Sequence, residues 1–304
     1  MALSATAQFN PVLSEMLNKI GENRFVGTQI LPFRQVSTKS GDYPVFGAEQ
    51  FDNDASKKRA PGSNFARVDS AYDKQSYQCE QYGLEEVLPD EDRSQANDDG
   101  ISDAEASIAM RLQRDLMVGH ERRVSDLIFN AGFNSTSATA AMSANSTAKP
   151  IEDIQQAVER LEANGFFDNT LVIETSLYNE MINTDDVRNI FNGAAVYNQP
   201  EVVRGALGVA NIIVCPTRYN SANKGKSASR AKVWPTTQYA VLNIAGGDFS
   251  AGGFGRTLAY TPDGGEFSAE SYRDEPIKSD VLRVFNSVDE VIINTNAGEL
   301  ITGA

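Results

Sequence analysis

Histidine, cysteine and tryptophan are almost absent from this sequence of 304 residues, which has one histidine, two cysteines and one tryptophan. A single histidine, His120, excludes a His-rich metal site, and no Ser or Cys motif accompanies it to support a nucleophilic triad. Because His120 lies within a predicted helix, we expect it on the helix surface or at a contact between subunits.

The two cysteines, Cys79 and Cys215, lie far apart in the sequence and have no CxxC spacing. This spacing excludes a zinc ribbon or a thioredoxin-like motif, and a disulfide framework is not expected in a chain of this size. We therefore expect both thiols to be free and buried.

Long hydrophobic runs are missing as well. No stretch approaches the roughly 18 apolar residues of a membrane-spanning helix, and the start MALSATAQFN lacks the basic and apolar regions of a signal peptide. We expect a protein that stays in the cytoplasm where it is made.

Cations are also outnumbered by carboxylates, since the net charge is −14. A tight nucleic-acid binder needs concentrated Lys and Arg, so the charge argues against that class of protein.

Motifs for catalysis or for metal and nucleotide binding are incomplete. NKGKSAS (223–229) ends like a P-loop, but no helical pattern follows it. QANDDGIS (95–102) lacks the carboxylates that a calcium loop needs at its two ends. The carboxylate pairs Glu85/Glu86 and Asp185/Asp186 have no spacing typical of an acid–base pair. We therefore predict that the chain is not an enzyme and has no catalytic, cofactor or metal site.

Two β-rich segments, 36–47 and 64–82, flank a polar piece with a Pro-Gly-Ser turn signal. This pattern predicts a long two-stranded hairpin. Its tip, KKRAPGSNFARV, contains the cations Lys57, Lys58, Arg59 and Arg67. An isolated hairpin is marginally stable in water, and the intervening sequence offers no core. We therefore expect the hairpin to rest on a neighbouring copy of the chain.

An acidic stretch from Glu85 to Glu105, with nine carboxylates and one cation, leads into the strongest helical pattern of the chain. That pattern covers residues 102–131, begins with the capping box of Ser102 and Glu105, and predicts a helix about 45 Å long.

Helices and buried strands then alternate over 149–245, with one helix predicted from Thr175 to Phe191. After residue 255 the pattern favours three or four antiparallel strands with a PDGG turn.

The order of these parts resembles the major capsid protein of tailed bacteriophages, which has the Hong Kong 97 fold. The segments that carry the resemblance are FVGTQILPFRQVSTKSGDYPVF (25–46), KRAPGSNFARV (58–68), YQCEQYGLEEVLPDED (77–92) and NTLVIETSLYNEM (169–181). The resemblance implies an α+β fold of five segments. These are an N-terminal arm (1–35), an extended E-loop hairpin (36–82), a P domain with a spine helix (83–148, helix at about 102–131), an A domain (149–250) and a return to P-domain strands (251–304).

The resemblance also implies a function. A protein of this family self-assembles into hexamers and pentamers of an icosahedral head that encloses double-stranded DNA, without sequence-specific binding, cofactor or membrane. It would be assembled in the host cytoplasm and end in the virion. Expected partners are other copies of the chain and a portal protein, and the sequence leaves open whether a decoration protein binds. Because the chain begins almost directly at the arm, we also expect a separate scaffolding protein. Two alternatives remain open: an encapsulin-type nanocompartment shell and a soluble hydrolase-like enzyme.

The candidate site is a contact between subunits. We expect the hairpin cations to meet the acidic surface of a neighbour between Glu85 and Glu105, at Glu85, Glu86, Asp90 and Glu91. Some relatives crosslink an E-loop lysine to an asparagine of a neighbour. Lys57 and Lys58 lie in the corresponding region, but no matching asparagine or assisting glutamate can be placed, so we expect non-covalent contacts.

Overall fold

The computed structural model describes residues 8–9, 11–19, 25–45, 58–59, 61–65, 72–93, 104–130, 132–190, 200–223, 225–246, 249, 252–261 and 266–304. The helices are α1 (Pro11–Lys19), α2 (Gly27–Ile30), α3 (Ala104–Asn130), α4 (Pro150–Ala163), α5 (Thr175–Asn183), α6 (Asp185–Ile190) and α7 (Pro200–Leu207). The predicted PDGG turn, the capping residue Ser102 and the cations Lys57 and Arg67 lie outside the described residues.

The strands are β1 (Gln8–Phe9), β2 (Phe33–Val36), β3 (Ser40–Val45), β4 (Asp73–Gln78), β5 (Glu80–Pro89), β6 (Ser135–Ser137), β7 (Asn169–Glu174), β8 (Asn211–Cys215), β9 (Arg218–Asn220), β10 (Arg230–Lys232), β11 (Gln238–Asn243), β12 (Gly255–Tyr260), β13 (Ser268–Asp274), β14 (Ser279–Ile292) and β15 (Gly298–Thr302). They form a six-stranded sheet, a five-stranded sheet and two two-stranded ribbons, β3–β4 and β9–β10.

The long strand β14 organises the six-stranded sheet. One edge of β14 pairs with β13 over its first half and with β12 over its second half, and the other edge pairs with β5. All three pairings are antiparallel, as the pattern after residue 255 predicts for this part of the chain. The short strands β1 and β2 extend the sheet beside β13 and β12, and β2 runs parallel to β12.

Helix α3 connects two hydrophobic cores. Its 27 residues make it about 40 Å long. Leu112 and Leu116 in its first half pack with Leu282 and other residues of the six-stranded sheet. Val124 and Ile128 in its second half belong to the core of the five-stranded sheet. A single helix therefore holds the two sheets in a fixed relation.

The five-stranded sheet has the order β6-β15-β11-β7-β8 and mixes parallel with antiparallel pairs. All six residues of β7, whose sequence is NTLVIE, are buried, which explains why this strand has no polar alternation. The sheet also contains β6 and β15, which the sequence placed in the segments before residue 149 and after residue 250. The partition into five segments stays a prediction. In the structure, β6 and β15 pair within the same sheet as strands from the predicted segment 149–250.

The helix predicted from Thr175 onward is wrong as a single element, because it breaks at Thr184 into α5 and α6. Thr184 is extended, with ψ 150°, and fully buried. Its hydroxyl donates to the Met181 carbonyl at 2.7 Å, and the next amide, that of Asp185, donates to the Asn145 carbonyl. A threonine side chain that bonds the preceding turn competes with helix continuation, so the chain turns here.

Candidate subunit interface

The hairpin β3–β4 forms as the sequence predicts, with antiparallel register from Ser40 opposite Gln78 to Val45 opposite Asp73. Its base is not without a core, however. Tyr43, Tyr77 and Cys79 are buried against Leu258 and Val291 of the six-stranded sheet. The expectation that the hairpin has nothing to pack against within its own chain is therefore wrong for its base.

The tip of the hairpin is exposed throughout the described residues 58–59 and 61–65. Gly62 has φ +83°, the left-handed conformation that a glycine adopts in a tight turn. The Arg59 guanidinium lies 4.4 Å from the centre of the Phe65 ring and donates to the Ser63 carbonyl at 2.5 Å. Because Phe65 is 76% exposed, the tip presents an aromatic ring and a cation together.

The predicted acidic partners already have cations of their own chain. Glu85 pairs with Arg283 at 3.0 Å. Glu86 pairs with Arg111 of α3. Asp90 accepts two hydrogen bonds from Arg273, each at 2.6 Å, and these hold the pKa of Asp90 below its usual value. Glu91 follows Asp90 on a short, exposed helical stretch over 90–93.

A groove of about 580 Å³ lies beside Glu85 on the six-stranded sheet. Glu86 points towards α3, and residues alternate between the two faces of a strand, so Glu85 and Gly83 face the side away from the helix. Residues that line the groove are Gln81, Gly83, Leu84, Glu85, Glu270, Arg283 and Phe285. The groove thus offers two carboxylates around an aromatic wall.

Glu121 of α3 is the most connected buried charge among the described residues, and the sequence analysis missed it. Its carboxylate accepts hydrogen bonds from the backbone amides of Val26 at 3.1 Å and Gly27 at 2.8 Å. It also accepts from the Thr217 hydroxyl at 3.0 Å and from the Trp234 indole at 2.9 Å. Glu121 therefore joins the segment after α1, helix α3 and the subdomain of the five-stranded sheet.

The single histidine is buried inside the subunit, so its predicted surface position is wrong. His120 has no exposed area; its Nδ1 lies 2.8 Å from Glu290 Oε1, and its ring stacks on Phe33. Arg123 donates to the same carboxylate. Burial alone would raise the pKa of Glu290, but the hydrogen bonds from His120 and Arg123 outweigh burial and hold it below the usual value.

One sequence signal pointed to both buried carboxylates. Glu121 interrupts the apolar stripe of α3 between Leu116 and Val124, and Glu290 interrupts the apolar run of β14. A charged residue at a core-facing position has to be bonded, because an unpaired buried charge is costly. The sequence does not reveal the partner, which in each case lies more than ninety positions away.

No family model matches this sequence, and no curated protein matches it either. Solved structures do match. A phage-related protein of Bordetella bronchiseptica has a TM-score of 0.77 at 21% identity, covering 98% of each chain. The putative capsid protein of an E. coli prophage has a TM-score of 0.58 at 11% identity, covering 99% of this chain and all of the other. This chain has the Hong Kong 97-like fold of the phage capsid proteins.

The virus-like particle of Pyrococcus furiosus also shares the capsid fold, with a TM-score of 0.57, 12% identity and 95% coverage of each chain. We use E-loop for β3–β4 and spine helix for α3 as labels; the assignment of the two larger sheets to P and A domains stays a prediction.

Chemistry-bearing clusters are sparse in the described part of this capsid fold. Both cysteines are free and buried, as predicted, and burial raises the pKa of the Cys215 thiol. Over the described ranges, no three His, Cys, Asp or Glu residues converge in a way that could hold a metal ion. None of the helices in those ranges combines the length and the apolar character needed to cross a membrane.

Proposed function

We propose that this chain is a major capsid protein that assembles into hexamers and pentamers of an icosahedral phage head enclosing double-stranded DNA. The main support is the capsid fold over nearly the full length of the chain. The role is structural rather than catalytic, and the protein resides in the virion after assembly in the host cytoplasm. A scaffolding protein, a portal protein and a decoration protein are the partners we propose.

The test of this function is electron microscopy of the purified full-length protein, alone and with a candidate scaffolding protein. Closed shells of uniform size with five-fold and six-fold capsomers are expected. A protein that stays monomeric at high concentration in both conditions contradicts the proposal and favours the soluble-enzyme alternative.

A nanocompartment shell is the second candidate, because a virus-like particle of Pyrococcus furiosus matches this chain about as well as the prophage capsid protein does. The fold supports a particle-forming shell and does not identify what the shell encloses. Nuclease-protected DNA in particles purified from the natural source supports a phage head, whereas a protein cargo without DNA supports the nanocompartment.

The E-loop tip is the part of the subunit that we propose for contact with a neighbour. Arg59 and Phe65 project together, and the groove beside Glu85 offers carboxylates and an aromatic wall of complementary character. Lys57, Lys58 and Arg67 would add charge at the same contact, with Glu86, Asp90 and Glu91 on the acidic side. The internal arginine partners of three of these carboxylates leave other oxygen lone pairs available to a second cation.

Charge reversal tests this contact. The double variant Arg59→Glu/Arg67→Glu is expected to reduce shell yield severely while leaving the circular dichroism spectrum of the subunit unchanged. The matched control Lys39→Glu/Lys74→Glu makes the same charge change at exposed positions outside the tip, one before β3 and one in β4, and should assemble normally. Normal shells from the tip variant would exclude the proposed contact.

A further inference from the structure

The outer face of α3 carries a basic concavity that the proposed shell function leaves unused. Its volume is about 500 Å³, and it lies between α3 and the ribbon β9–β10. Its lining residues are Arg111, Arg114, Asp115, Val118, Gly119, Arg122, Arg218, Tyr219, Asn220 and Arg230. Five arginines and one carboxylate therefore converge in a protein whose net charge is −14. We call this concavity the arginine pocket.

Two separate elements build the arginine pocket. Arg111, Arg114 and Arg122 lie on the face of α3 opposite its buried stripe, and the first and last of them are about 16 Å apart along the helix axis. Arg218 and Arg230 come from adjacent strands of the ribbon, paired antiparallel with Lys232 opposite Arg218. Because both elements are regular, the backbone positions that carry these arginines are fixed relative to one another.

Within the described ranges, three of the five arginines lack an anionic partner. Arg111 pairs with Glu86. Among the residues that the structure describes, Arg122, Arg218 and Arg230 have no carboxylate within 4.0 Å, although the Arg122 guanidinium lies over the Tyr219 ring, 4.6 Å from the ring centre. Exposed cations this close together repel one another, so an anion in the pocket would lower their energy.

The chemistry of the pocket favours phosphate. Every cation lining it is an arginine, and the planar fork of a guanidinium matches phosphate oxygens in a bidentate way that lysine does not. The cation–π contact with the Tyr219 ring keeps the Arg122 guanidinium beside the ribbon. A length of about 16 Å corresponds to about five phosphates along one strand of DNA, at about 3.4 Å each.

The acidic segments of a second copy fit the pocket less well. Glu85, Glu86, Asp90 and Glu105 are already bonded to Arg283, Arg111, Arg273 and Arg93 of their own chain. A carboxylate of a second copy that entered the pocket would have to be shared with the arginine it already bonds, whereas a nucleic-acid phosphate exchanges only mobile counterions.

We infer that the arginine pocket binds the phosphate backbone of double-stranded DNA. Naming DNA as the source of the phosphate rests on the proposed shell function; the phosphate chemistry of the pocket rests on its own residues. Binding is independent of base sequence and weak for a single subunit, because few cations take part, and many copies on one shell would bind the same DNA together. The overall acidity of the chain limits binding elsewhere on its surface.

The test uses unassembled full-length protein and a fluorescently labelled 20-base-pair duplex, with affinity measured by anisotropy between 50 and 200 mM salt. The double variant Arg218→Gln/Arg230→Gln is expected to bind about tenfold or more weakly, and its salt slope should fall by about 0.9 for each phosphate that the variant no longer neutralises. The matched control Arg188→Gln/Arg204→Gln removes the same charge from other exposed helices and should bind like wild type.

Other results overturn the inference. No binding of the duplex by wild type, or equal weakening in the two double variants, shows that the pocket is not a DNA site. Displacement of the duplex by a few millimolar inorganic phosphate shows a site for free phosphate instead. Stronger binding of a peptide of residues 90–105 than of the duplex shows a contact between subunits. Shell assembly is scored separately by microscopy. Shells that form without pocket-dependent DNA binding refute only the proposed DNA site. Pocket-dependent DNA binding by a protein that forms no shells refutes only the proposed shell function.

Discussion

Removal of the Glu121 carboxylate is the sharpest test of how the spine helix is fixed to the rest of the subunit. Its two oxygens accept from four donors, namely two backbone amides, one hydroxyl and one indole. No lysine or arginine in the described residues forms an ion pair with Glu121, so the four donors offset its desolvation. We therefore expect any side chain that accepts fewer hydrogen bonds at position 121 to lower the stability of the subunit.

The magnitude follows from the donors that each variant leaves unpaired. Glu121→Gln keeps one acceptor oxygen and best places its amide nitrogen towards Trp234 and Thr217, because the backbone amides of Val26 and Gly27 cannot turn away. That arrangement loses a charge-assisted hydrogen bond and leaves the indole N–H unpaired. The neutral amide is less costly to desolvate than the carboxylate, which offsets part of this loss. The free energy of unfolding should therefore fall by about 2 kcal/mol. Glu121→Ala leaves three N–H donors without an acceptor and should lose about 4 kcal/mol.

The assay is urea unfolding of the unassembled subunit. Trp234 is the single tryptophan, so its fluorescence reports the Glu121 contact directly, and circular dichroism provides the second probe that a two-state analysis needs. Asp126→Asn is the control, because Asp126 is an exposed carboxylate on the same helix and should change the free energy of unfolding by less than about 0.5 kcal/mol. Hydrogen exchange at Val26 and Gly27 should accelerate only in the Glu121 variants. An unchanged midpoint and slope for Glu121→Ala would refute the reasoning.

Two further predictions concern the six-stranded sheet and helix α7. Glu290→Gln removes the buried acceptor shared by His120 and Arg123 and should lower stability at pH 7 by about 3 kcal/mol. The folded pKa of Glu290 is depressed below 4.5, so the contribution of this group is fully present above pH 4.5 and is lost as pH falls through the folded pKa. The difference between the urea midpoints of variant and wild type should therefore shrink as pH falls below 4.5, and a constant difference would contradict this. Gly255→Ala places a methyl group 2.6 Å from a carbonyl oxygen of the neighbouring strand and should lower the free energy of unfolding by about 2 kcal/mol. Gly205→Ala, in open space within α7, should instead raise the free energy of unfolding by about 0.5–1 kcal/mol and raise the thermal midpoint. Equal thermal midpoints for the two variants would refute the steric argument.

Local chemistry made much of the fold predictable. The spine helix follows from the apolar steps of three and four residues, and helix α4 follows from Pro150 at its start and the Asn-Gly pair at its end. The E-loop follows from two β-rich segments around a turn signal. The break at Thr184 was not predicted, because the bond that stabilises it comes from the Asn145 carbonyl, a long-range partner.

The candidate interface was predictable as a set of charges but not as a geometry. The sequence shows a basic tip and an acidic stretch, yet it does not show that three of the predicted carboxylates bond Arg283, Arg111 and Arg273 of the same chain. It shows five arginines scattered over 120 positions, and overall acidity argued against nucleic-acid binding. Net charge is a sum over the whole surface, so it conceals a local cluster of the opposite sign.

By itself, the sequence determined the order and type of the main elements and the absence of any recognisable catalytic motif, because periodicity, capping and turn chemistry act between residues close in the chain. Only the tertiary structure decided which charges meet. It turned the lone His120 inward, gave Glu121 its four donors and brought arginines of α3 and the β9–β10 ribbon around one concavity. These contacts join residues tens to hundreds of positions apart, and their geometry is set by how the two sheets pack on the spine helix rather than by any local pattern.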